Sequence, residues 1–145
     1  MGRREVEQAV AEMVRVLVPQ ARREWDVQAG CLEWSCWETA VHVAHDLLAY
    51  AGQVAGSPAN GYLPFDLVVP AGTSPSDVLE VVAACGGILS STIATAGSQV
   101  RGWHWGPTDP GGFAALGVNE ILVHSYDIAQ GLSVDWLPSA AVSDR

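Results

Sequence analysis

The sequence predicts an all-α protein, a four-helix bundle built as one domain. Apolar residues recur at helical spacing in four segments. Gly- and Pro-rich stretches separate those segments. The chain has 145 residues, 49% of them aliphatic, aromatic or Cys, which is material for one core and too little length for two.

The first segment runs from Glu5 to Glu24, with Val6, Val10, Met13, Val14 and Leu17 on one face. Pro19 is expected to kink it or to start a separate turn. Gln28 to Glu33 reads as a connection. Ser35 and Glu38 form a capping-box pattern, so a second helix opens there and runs to about Gly52. Gly56 to Gly72 is a long loop with room for an extended stretch at Tyr62 to Val69, and its length permits a crossover in the bundle. Ser74, Pro75 and Asp77 start a third helix that should reach about Ala96. Gly102 to Gly112 is a second loop, rich in Gly, Pro and Trp. The fourth helix is read from about Gly112 to Gln130, with Gly131 as its stop. Residues 1–131 are expected to form the domain, and 132–145 a tail or one short turn.

Charge narrows the function. Seven basic residues face sixteen acidic ones, for a net charge of -9. Five of the arginines lie before residue 24, and Arg101 is the only cation between there and residue 144. A phosphate-binding surface needs clustered cations, so nucleic acid and anionic membrane surfaces are not expected partners. No stretch approaches twenty uninterrupted apolar residues, so no membrane span is expected. No apolar run follows Arg3 and Arg4, so no secretory leader is expected either. Three cysteines without a CxxC pair fit a reducing cytoplasm better than a disulfide framework. Cys36 sits in a first helical turn, where the dipole lowers a thiol pKa, but a small buried residue is the simpler reading.

The fourth segment carries the most chemistry. With Glu120 at zero on a helical wheel, His124 falls at about 40 degrees and Asp127 at about -20 degrees. All three then share the face of Phe113 and Leu116, which should point into the bundle. Asn119, Tyr126 and Gln130 fall on the solvent face. Buried Glu, His and Asp are costly unless paired with one another or metal-bound, and the helix alone leaves both readings open. On the second segment His42 lies on a stripe with Glu38, His45 and Ala49. His45 reads as solvent-facing, and periodicity does not decide His42. A divalent metal would use both helices at once. His42, Glu120 and His124 make an open three-ligand His₂Glu set, and Asp127 suits a partner that holds a histidine ring nitrogen. Such a set accepts zinc, nickel, iron or manganese. It is not HExxH, so protease chemistry has no support.

Two blocks carry a family likeness. They are Cys31-Leu-Glu-Trp34-Ser-Cys-Trp-Glu38-Thr-Ala-Val-His42 and Gly112-Phe-Ala-Ala-Leu-Gly-Val-Asn-Glu120-Ile-Leu-Val-His124-Ser-Tyr-Asp127. In these blocks the chain resembles the DinB-like superfamily, and within it the N-terminal metal-binding domain of mycothiol-dependent maleylpyruvate isomerases. The resemblance implies a DinB-like four-helix bundle with metal ligands at His42, Glu120 and His124, the ion usually being taken as zinc. It implies a low-molecular-weight thiol, mycothiol, as cosubstrate, and a transferase or isomerase acting on a small electrophile. Relatives of this type carry a further C-terminal domain, whose substrate contacts are expected to be missing here. On that reading Asp127 and Arg101 are the candidate catalytic residues, Arg101 holding a substrate carboxylate. Arg101 also suits an exposed position at a helix C-terminus. Trp103, His104 and Trp105 would form a lid or wall, or simply anchor their loop. Trp34 and Trp37 read as core and helix-entry packing rather than as a surface for stacking a substrate. A non-catalytic metal- or ligand-binding bundle is the alternative, and the chain is expected to be a monomer or a homodimer.

Overall fold

The computed structural model describes residues 1–140. It is an all-α bundle of four helices: α1 (Arg3–Leu17), α2 (Cys36–Gly56), α3 (Pro75–Thr95) and α4 (Pro110–Gly131). The expected caps set two of the four starts. Ser35 Oγ accepts from Glu38 N at 3.1 Å, and Ser74 Oγ accepts from Asp77 N at 3.1 Å. Asp109 caps α4 by accepting from Gly112 N at 2.7 Å, so that helix begins at Pro110, just ahead of the glycine pair.

The ends differ from the sequence reading. α1 stops at Leu17, and Val18–Gln20 forms one 3₁₀ turn, because Pro19 cannot continue the α-helical ladder. α2 passes through Gly52 and ends at Gly56, where Ser57 takes the left-handed conformation (φ 47°). Gly131 is the last helical residue of α4 and does not act as a left-handed stop. Its role is contact. A Cβ there would lie 2.3 Å from the Gln28 carbonyl oxygen and 2.7 Å from Cys36 Sγ. The end of α4 therefore presses directly on the chain that enters α2. The loop before α4 contains a small antiparallel hairpin, β1 (Gly102–Trp103) with β2 (Pro107–Thr108). Tyr62 to Val69 forms no strand.

The helices pack as a square. α2 lies against α3 and α4, and α1 lies against the same two. The chain thus crosses a diagonal between α1 and α2 and again between α3 and α4, whereas the long second connection joins neighbours. Val6, Met13, Leu17, Val43, Leu47, Val82, Leu89, Phe113, Ile121 and Ile128 fill the core. By length and composition α3 is long and apolar enough to cross a membrane, with a mean hydropathy of 1.7. Here its Val78, Leu79, Val82, Cys85 and Leu89 are buried in the bundle.

The first part of the expected tail is packed. Leu132 and Trp136 are buried, and the Trp136 indole N–H donates to Glu12 at 2.9 Å. The Arg23 guanidinium donates to the Leu132 carbonyl. Residues 141–145, the end of that tail, lie outside the described residues.

Gly131→Ala tests the close approach. In an open helix interior this change stabilises by about 1 kcal/mol. Here the clash should reverse the sign, with a loss of roughly 1–3 kcal/mol in a urea titration. A stabilised variant would show that the contact is not tight.

Candidate metal centre

α2 and α4 bring their polar stripes to one seam. Position 42 on α2 faces positions 120 and 124 on α4, and Glu120 and His124 share a face because they lie four residues apart. The stripe of Glu120, His124 and Asp127 flanks the core face rather than occupying it. The fully buried face of α4 belongs to Phe113, Gly117, Ile121, Ser125 and Ile128. The cluster is half-buried, with side-chain exposures of 29% for His42, 19% for Glu120 and 14% for His124. That intermediate depth keeps one side reachable.

Glu120 Oε2 is the centre of the group. It lies 3.4 Å from His42 Nε2 and 3.2 Å from His124 Nε2. The oxygen is shielded from solvent, yet neither approach has the direction of a hydrogen bond. Charge-assisted N–H···O bonds run at about 2.7–2.9 Å, so both contacts are long for ion pairing alone. Donors around a tetrahedral ion with bonds of roughly 2.0–2.1 Å stand about 3.3 Å apart, which is the spacing of each histidine from Glu120. One donor atom from each of His42, Glu120 and His124 lies within 4.8 Å of the others. The donor set and the unsatisfied oxygen both fit a divalent cation.

The surroundings fix the rings. His124 Nδ1 lies 3.0 Å from Asp127 Oδ2, so Nδ1–H donates to the carboxylate and Nε2 is left facing Glu120. Gly30 backs Asp127. Its φ of +54° suits glycine, and a Cβ there would come within 3.4 Å of Asp127 Oδ1. Trp34 covers the histidines, its ring 4.6 Å from that of His42 and 6.4 Å from that of His124. This corrects the expectation for Trp34, which is 39% exposed and packs on the cluster rather than in the core. Trp37 keeps the helix-entry role, its indole donating to Thr73 O at 2.8 Å.

Asp46 escaped the sequence reading. Its Oδ2 lies 3.3 Å from His42 Nε2, and its Oδ1 lies 3.0 Å from His45 Nδ1. The other nitrogen of His45, Nε2, reaches Asp66 Oδ1 at 3.0 Å. His45 is therefore held between two carboxylates instead of lying free on the solvent face. The i,i+4 spacing of His42 and Asp46 was the available signal.

Arg101 is not brought to the cluster. Its exposed guanidinium donates to Ser98 O at 2.9 Å and Val100 O at 2.7 Å, and it lines neither cavity beside the histidines. His104 does line one of those cavities, while Trp105 is 85% exposed. All three cysteines are free. Burial pushes the Cys36 thiol up to about 11, so it is packed material and not a nucleophile.

Electrostatics follow from the seam. Burial pushes the Glu120 carboxyl up, but the two histidines outweigh it and hold the group down at about 2. Burial likewise disfavours the His124 cation, but Glu120 and then Asp127 outweigh it, so the ring titrates above its ordinary 6.5. In metal-stripped protein the Glu120 contribution is complete above about pH 4.5 and fades as pH falls toward 2. The His124 contribution is complete below 6.5 and is lost as pH rises through the raised value. The stability difference between the stripped parent and Glu120→Gln should therefore be widest between pH 4.5 and 6.5. Urea titrations across pH check this; a difference that stays flat would mean that the seam is not ionic.

No curated protein and no solved structure matches the chain. The family model for the mycothiol maleylpyruvate isomerase N-terminal domain matches residues 4–129, a span that holds all four helices up to the last turn of α4 and every residue of the seam. The chain belongs to that family, a DinB-like one.

Proposed function

We propose that this chain is a divalent-metal-dependent, thiol-using transferase or isomerase that acts on a small electrophile. The observation that carries the reading is the convergence of two imidazoles on a buried carboxylate oxygen that no hydrogen bond satisfies. Membership of a mycothiol-related family supports the choice of thiol.

His42, Glu120 and His124 would hold the ion, and zinc is the ion we propose. When bound, the ion supplies stabilisation of a deprotonated sulfur near neutral pH. The chain supplies the rest. Asp127 fixes the His124 tautomer by accepting its Nδ1–H, so Nε2 keeps its lone pair toward the seam. Asp127 is thus a positioning residue. Trp34 shields one side of the rings from water. A cavity of about 350 Å³, bounded by Trp34, Val41, His42, Asp66 and Leu67, gives a thiol its approach. Asp46, His45 and Asp66 form a continuous run of polar contacts from His42 to the exposed rim. The proton released by the thiol leaves along that run. Arg101, as placed, takes no part.

Elemental analysis of protein purified without a metal-affinity tag tests the first half. About one equivalent of metal per chain is expected, lost in His42→Ala and His124→Ala. Asp127→Asn should keep the fold and weaken the metal about 10- to 100-fold. No retained metal after incubation with zinc, nickel and iron would overturn the site. For the second half, loaded protein should consume a thiol and an electrophile together, and chelation should stop it. Tight metal without consumption would leave a binding module.

A further inference from the structure

We infer that the electrophile taken by this site is uncharged and aromatic or similarly apolar, held in a cavity beside the metal cluster; the inference rests on the thiol-transfer reading above. The cavity has a volume of about 290 Å³ and runs along α2. Its aromatic wall comes from three separate parts of the chain. Tyr50 is on α2, Tyr62 and Phe65 are on the connection to α3, and His104 is in the turn of the hairpin. The His104 ring meets Tyr50 edge-on at 5.7 Å and Tyr62 at 5.9 Å, so the wall is braced across these segments.

Asp46 joins this cavity to the cluster. It lines the cavity, and its Oδ2 is 3.3 Å from His42 Nε2. A ligand seated on the rings is thus one side chain away from the seam. Gln53 also lines the cavity. Its Oε1 accepts from Trp103 N at 3.0 Å, which leaves its amide N–H groups to meet a neutral ligand oxygen.

The charges exclude a carboxylate ligand. No Arg lines this cavity. His45 lines it, but any positive charge there is already met by Asp46 and Asp66. Even with a divalent ion in place, its two charges face Glu120, Asp46 and Asp127, before a thiolate adds another negative charge. Arg101 is turned to backbone carbonyls elsewhere. His104 is the one further ring nitrogen source on the wall and carries no permanent charge, so a carboxylate placed on these rings would lose its water without gaining a permanent cation. An aryl epoxide meets the requirements. A sulfur–carbon bond forms, the epoxide carbon–oxygen bond breaks, and the alkoxide oxygen takes a proton from water at the rim, returned along the same Asp66–His45–Asp46 run by which the thiol proton left.

Binding of two probes of one shape and opposite character tests this without thiol or turnover. They are 2-naphthalenemethanol and 2-naphthoate, titrated by calorimetry and saturation-transfer NMR into the full chain, both metal-stripped and zinc-loaded. The alcohol should bind at least about tenfold more tightly than the carboxylate in both forms. Tyr62→Ala and Phe65→Ala should each weaken the alcohol about fivefold while metal content and far-UV circular dichroism stay unchanged. Equal or tighter binding of naphthoate overturns the inference. So does alcohol binding that neither variant changes. Selective alcohol binding by a protein that consumes no thiol would support the cavity's preference while sinking the thiol-transfer reading.

Discussion

A carboxylate shut between two imidazoles is the constraint around which this bundle is arranged. Glu120 cannot be buried charged without compensation, and its compensation comes from a different helix as well as its own. The two helices must therefore meet at one register. Gly131 allows the end of α4 to press against the entry to α2, and Ser35 fixes where α2 begins. Between these points the loop closes on itself, with Ala29 N donating to Trp34 O at 3.0 Å. That closure sets Trp34 over His42 and leaves Gly30 against Asp127. The seam is thus held by backbone contacts at one end and by charge in its middle.

The elements that rest on local chemistry were legible in the chain. Ser35 with Glu38 and Ser74 with Asp77 mark two helix starts because capping is decided within four residues. Glu120, His124 and Asp127 share a stripe because helical periodicity is local too. The pairing of that stripe with His42 was also open to inference, since a buried polar stripe needs a partner and the family likeness names one. What escaped depends on contacts between distant segments. Gly131 looked like a stop, and its packing against Gln28 and Cys36 is invisible to periodicity. The hairpin has two residues per strand, too short for any alternation to show. His45 looked solvent-facing because its second partner, Asp66, arrives from a loop with no regular pattern. Asp46 was overlooked with it. Arg101 drew interest as the lone cation of the middle of the chain, but backbone carbonyls near the end of α3 hold it instead.

Depth matters to what the site can do. A cluster at the centre of the core would be sealed, and one on the surface would be hydrated and weak. This one lies at the edge of the buried face, with one cavity at His42 and a second reached through Asp46. The core itself is apolar and continuous without it. Hydrophobic packing therefore carries the stability of the fold, while the seam sets the register at which α2 and α4 meet.

Trp34 gives the molecule an optical property of its own. An indole ring 4.6 Å from one histidine and 6.4 Å from the other sits within quenching range of anything placed between them. A closed-shell ion such as zinc would leave its emission largely intact, whereas an open-shell ion such as nickel or copper would darken it. Light emitted by this one residue, read against that of the five other tryptophans, would distinguish which kind of ion is bound between the histidines.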